Sequence, residues 1–182
     1  HNVSSAASDV YKRQVLFINR TDLVKNSIID GNVDTDKFIQ FIKVAQQIDI
    51  QNLLGTDLYN KIGADIASGA AGGTGLTGNY LTLVNTFVQP TLIWFAQMNY
   101  IPFAAYQIKN GGVFKHSSET AQNVDKNEVD YLVAKAREYA NYYSTRLVDY
   151  LSFNDNLFPE YNTNSNSDID PDTDTTFKGW VL

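Results

Sequence analysis

The sequence contains no cysteine. That single absence excludes disulfide bonds, thiolate metal sites and cysteine nucleophiles, and it fits a reducing compartment such as a bacterial cytoplasm. Histidine is almost as scarce: apart from His1 there is only His116, so no pair of imidazoles is available to hold a metal. Basic residues number 14 against 20 acidic ones, for a net charge of −6. Without a Lys/Arg run the chain lacks the clustered cations that nucleic acid or an anionic membrane surface requires. A P-loop is missing too, because the glycines of "SGAAGGTGLTG" at 68–78 have neither the lysine nor a preceding strand. They read as an exposed loop.

Charged side chains are wholly absent from Ile66 to Ile108. The apolar run inside this span is broken by Asn85, Gln89, Pro90, Gln97, Asn99 and Pro102. A membrane-spanning helix wants about twenty nearly uninterrupted apolar residues, so no membrane segment is expected. The span predicts a central helix, or two abutting at Pro90, buried on most sides and ending near Asn110 with Gly111 as its cap. The stretch after it, "GGVFKHSSETAQNV", has no clear period and reads as a loop or a short extended excursion.

Methionine occurs once, at Met98, and the chain opens without an initiator. Residues 4–14, "SSAASDVYKRQ", match at every position one reading frame of a transposase-type sequencing adapter, as in a metagenomic reading frame that runs off a contig edge. Residues 1–14 are therefore expected to be foreign to the fold, with the native N-terminus missing. "VLFI", at 15–18, looks native. What remains has the size of one domain, large enough to bury a core without metals or cross-links.

The hydrophobic spacing of that domain is helical nearly throughout. Phe38, Ile39, Phe41, Ile42, Ala45, Ile48, Leu53 and Leu54 recur at intervals of three and four, opened by acidic residues at 34–36 and closed by Gly55. A short helix before it is expected from Thr21, as N-cap, to about Ile29, and a third from a Thr56 or Asp57 cap to about Ala67. Asp125 and Glu128 form a D-x-x-E capping pair for the last and clearest helix, running to about Ser152 on Val129, Leu132, Val133, Ala136, Ala140, Tyr143, Leu147 and Leu151. The fold class is all-α: a small bundle of about five helices over residues 15–160, followed by a polar linker and C-terminal tail at 161–182. That tail ends on Phe177, Gly179, Trp180, Val181 and Leu182, an apolar finish that a mere linker does not need.

Candidate chemistry is thin. His116 lies beside Ser117, Ser118 and Glu119, which makes a small hydrolase using His116 the enzymatic alternative, although adjacency in sequence is not triad geometry. Aspartates at 168, 170, 172 and 174 have the alternation of a calcium loop, but Thr173 and Gly179 stand where its glycine and glutamate belong. No catalytic, cofactor or metal residue is assigned, and no cofactor is expected.

Taken in order, "DTDKFIQFIKVAQQIDIQNLLGTDLYNKI", the long apolar helix, "YIPFAAYQIKNGGVFKHSSETAQNVDKNEVDYLVAKAREYANYYSTRLVDYL" and the closing "DIDPDTDTTFKGWVL" resemble an uncharacterised family of phages and prophages of gut Bacteroidetes, over residues 15–182. The spacing of Ile42, Ala45, Asp49, Leu53, Leu54 and Gly55 is more distantly similar to the opening of phage head-to-tail connector (adaptor) proteins. The resemblance implies a helical-bundle virion protein, not an enzyme, that forms a ring beneath the portal. Its partners would be the portal protein and neighbouring copies, with a tail or stopper protein next in line, and it would reside in the virion and, during assembly, in the host bacterial cytoplasm. Another phage assembly or neck protein is the alternative. Phe177, Gly179, Trp180, Val181 and Leu182 are the residues expected to bind a partner, since buried aromatics are the usual anchors of an interface; a tail folded back on its own bundle is the alternative.

Overall fold

The computed structural model describes residues 15–27, 35–104, 106–109, 112–115, 125–165 and 168–174. Within them the chain is an all-α bundle with six helical elements and one small hairpin. α1 spans Arg20–Asn26; α2 runs Thr35–Ala45 and continues through a π turn, Gln46–Ile50, into Gln51–Leu54; α3 is Thr56–Ala70. α4 begins as Gly78–Leu83, passes through a second π turn, Val84–Val88, and continues as Gln89–Tyr100. A 3₁₀ turn, Ile101–Phe103, leads to the antiparallel strands β1, Tyr106–Lys109, and β2, Gly112–Lys115, paired Tyr106 to Lys115 and Lys109 to Gly112. α5, Lys126–Phe153, is the longest helix, and α6, Pro159–Thr163, follows a second 3₁₀ turn. Residues 1–14 lie outside the described residues.

α4 is the centre of the bundle, with α2 and α5 packed against it. Thr91, Leu92, Ile93, Phe95, Ala96 and Gln97 are all buried, which covers most of the helix circumference and accounts for the missing charges. α5 meets it through Ala136, Ala140 and Ser144, small residues one turn apart that let the two backbones approach closely. Pro90 does not divide α4. Its ring would clash with the carbonyl four residues back, and the π turn before it supplies the extra residue that shifts that carbonyl aside. Thr91 Oγ1 then donates to the Phe87 carbonyl at 2.7 Å.

The expected continuation of α4 to Asn110 is corrected: the helix stops at Tyr100, because the Ile101–Phe103 turn tightens at Pro102 and the chain leaves as strand β1. The expected N-cap Thr21 is also corrected. Asn19 caps α1, accepting from Asp22 N at 2.8 Å, and the helix ends at Asn26. At α3 neither Thr56 nor Asp57 caps; the helix starts at Thr56 directly from Gly55. The Asp125–Glu128 capping box of α5 is present as expected.

Residues 15–18 pack on the bundle through Phe17 and Ile18, both buried. Two glutamines flanking the π turns hold this segment. Gln46, fully buried, accepts from Phe17 N at 2.8 Å and donates to Val15 O at 2.8 Å and Tyr59 OH at 3.1 Å, while Gln89 donates to Phe17 O at 3.0 Å. Side-chain amides thus satisfy backbone groups of a segment that lies in neither helix nor strand.

Candidate functional site

The corner between α2 and α3 is where the chain returns to itself. Gly55 sits at φ 73° and ψ 159°, a conformation open essentially to glycine, which turns the chain within one residue. Residues 164–165 and 168–172 form a strap across this corner. Thr56 N donates to Ile169 O at 2.9 Å, Ile169 N donates to Thr56 Oγ1 at 3.1 Å, and Asp172 N donates to Asn52 O at 2.8 Å. Asn164 Oδ1 accepts from Asp57 N at 3.1 Å, and its amide donates to Ile169 O and Asp170 Oδ1 at 3.0 and 2.7 Å. The Pro171 ring lies where a Gly55 side chain would be: a Cβ there would stand 2.7 Å from Pro171 Cγ and 2.8 Å from Cδ. The strap therefore closes the free backbone groups at the end of α2 and the start of α3.

The aspartates of the strap act inside it. Asp168 accepts from the Thr56 hydroxyl and Gln51 at 3.1 and 3.3 Å, Asp170 takes the Asn164 amide, and Asp172 accepts from Asp174 N at 2.9 Å. No cluster of three or more metal-binding side chains occurs among the described residues. Of the segment expected to be a polar linker from residue 161, Asn164, Ile169 and Asp172 are thus hydrogen-bonded to the bundle, and residues 172–174 are exposed. Phe177, Gly179, Trp180, Val181 and Leu182 lie outside the described residues, as do His116, Ser117, Ser118 and Glu119.

One carboxyl stands out electrostatically. Asp49, inside the π turn of α2, is raised from 3.8 to about 7 because burial disfavours its charged form. On the other side of the bundle Tyr80 OH donates to Glu160 at 2.7 Å; desolvation and that bond to a carboxylate both raise the phenol. A cavity of about 210 Å³ opens between Asn26, Asn85, Gln89, Ile93, Trp94 and Tyr143, with no charged side chain among the described residues that line it. That lining offers hydrogen bonds and stacking but no acid, base or nucleophile of the usual strength.

Large apolar side chains stand in water on two outer faces. Val44 and Ile48 do so on α2, Ile48 at 64 % exposure, respectively two turns and one turn before the Asn52 carbonyl that holds the strap. On α5 the exposed set is Tyr131, Leu132, Tyr139, Tyr142 and Phe153. No helix among the described residues is long and apolar enough to cross a membrane.

Sequence reasoning missed the strap and the two glutamine clasps. Gly55 followed by Thr56 was the one visible signal, since a glycine between two helices marks a turn that something must cover.

No curated protein and no solved structure matches the chain. Residues 50–171, about two thirds of the sequence, match a family model that begins within α2 just before the Gly55 corner and ends at Pro171 of the strap that closes it. The chain belongs to the family of unknown function DUF6712.

Proposed function

We propose that the chain is a virion structural protein, a head-to-tail connector (adaptor) subunit that forms a ring on the portal of a bacteriophage or prophage. The resemblance over residues 15–182 supports this reading, and the strap is the observation that carries it. A docking tail works best from a fixed base, because every residue left free before binding must be ordered at an entropic cost of about 1–2 kcal/mol. Asp172 N donates to Asn52 O at 2.8 Å, which fixes the base from which a docking tail would extend. Phe177, Trp180, Val181 and Leu182 are the anchors in this reading, and Gly179 gives the bend that lets both rings enter one pocket.

The partners are the portal protein and neighbouring copies, with a tail or stopper protein beyond; the protein is not an enzyme and needs no cofactor. Ile48, beside the base of the strap, extends the apolar contact available to a partner. It resides in the virion and, before that, in the host bacterial cytoplasm. The test is capture of the full chain and of a form ending at residue 176 on immobilised cognate portal. The full chain is expected to bind and the shortened form to fail while keeping its helical signal; equal binding by both would overturn the assignment of the tail.

A further inference from the structure

α5 carries a second row of side chains along an exposed flank, where Tyr139 leans on Trp94 of α4 with ring centroids 4.6 Å apart and Arg146 lies 5.5 Å over the Phe87 ring. Glu128, Leu132, Lys135, Tyr139, Tyr142, Arg146, Asp149 and Phe153 follow one another at alternating steps of four and three. All eight are exposed, Leu132 at 44 %, Tyr139 at 46 %, Tyr142 at 59 % and Phe153 at 87 %. The buried row of the same helix, Ala136, Ala140, Ser144, Leu147 and Leu151, lies on the other side. Alternating steps of four and three are the spacing of a helix that pairs with another helix.

The charges in this row choose the partner. Paired in parallel with a second copy, Glu128, Lys135, Arg146 and Asp149 would each face their own like. Turned antiparallel about a twofold axis beside residue 137, Glu128 faces the partner's Arg146, Leu132 faces the partner's Tyr142 and Lys135 faces the partner's Tyr139. Each contact occurs twice, and together they comprise an ion pair, an apolar pair and a cation–π pair; like charges meet only at the two ends, where Asp149 faces the partner's Asp125. Sliding one heptad toward the C-terminus sets Lys135 against the partner's Arg146 and Leu132 against the partner's Asp149. Among the described residues Lys135 has only the exposed Glu138, at 2.8 Å, as its ion-pair partner, and such surface pairs are readily exchanged. We propose that this row is the contact through which two copies of the chain pair as an antiparallel twofold dimer. The contact is isologous and so stands apart from a ring contact, which is head-to-tail; it covers the α5 face before assembly.

Because the chain has no cysteine, single introduced thiols report the pairing without background. Leu132→Cys and Tyr142→Cys proteins, each checked for unchanged helicity, are mixed and oxidised. The expected product is the mixed Leu132→Cys/Tyr142→Cys dimer, in excess over either self-linked dimer. In sedimentation, Arg146→Glu should weaken self-association about tenfold, and adding Glu128→Arg in the same chain should restore it. Predominant self-linking of Leu132→Cys, a monomer at ~100 µM by sedimentation, or failure of the charge reversal to rescue would each overturn the dimer. None of these outcomes touches portal capture, so this inference and the connector reading fail separately.

Discussion

Gly55→Ala separates two effects that the structure places at one atom. The backbone at φ 73° and ψ 159° is strained for any residue with a Cβ, which costs about 1–3 kcal/mol. The new methyl would also stand 2.7 and 2.8 Å from Pro171 Cγ and Cδ, an overpacking worth about another 1–3 kcal/mol if the strap stays in place. The sum, about 2–6 kcal/mol, lowers the melting temperature of a domain this size by about 4–24 °C. Pro171→Ala removes both clashing atoms and leaves the backbone strain untouched. In a double-mutant cycle read by thermal and urea unfolding, Gly55→Ala should therefore be about 1–3 kcal/mol less damaging in the Pro171→Ala background. Strict additivity of the two substitutions would refute the packing of the strap on Gly55, even if each alone is destabilising.

Other perturbations test the rest of the fold. Gln46→Leu leaves the Phe17 amide and the Val15 carbonyl without their partner and should cost about 2–4 kcal/mol, with faster hydrogen exchange at Phe17 N; unchanged exchange there would contradict the clasp. Deleting residues 1–14 should leave the melting temperature unchanged. Deleting through Ile18 as well should lower it by several degrees, since Phe17 and Ile18 each bury an apolar side chain worth about 1.5–3 kcal/mol. Asp49, raised to about 7 in the folded state against 3.8 when free, keeps its proton longer folded than unfolded. Stability from this group is therefore full below about pH 4 and lost as pH rises toward 7. Asp49→Asn should flatten that slope and stabilise the protein at pH 8, as measured by urea unfolding across the range.

The helices were legible because their physics is local. The apolar period of α2, the missing charges of α4 and the Asp125–Glu128 box of α5 each follow from residues a few positions apart. What escaped depends on distant residues. A π turn leaves no mark on the hydrophobic period over a single turn, and the roles of Gln46 and Gln89 exist only because residues 15–18 arrive beside them. Asn19 displaced Thr21 as a cap because both residues suit that role and the chain entering from Phe17 sets the start of α1 two residues early. The strap was read as a polar linker since Asn, Ser and Asp normally face water; here Asn164 and Asp168 instead complete the Gly55 corner, more than a hundred residues away in sequence. The end of α4 was placed too late because no charge or glycine marks Tyr100, only Pro102 beyond it.

The connector reading stands most directly on electron microscopy of the full chain mixed with its cognate portal. A closed ring of this protein seated on one end of the portal, absent when the chain stops at residue 176, is the expected image. Bare portals at saturating protein, with the chain folded and residues 177–182 intact, would contradict it.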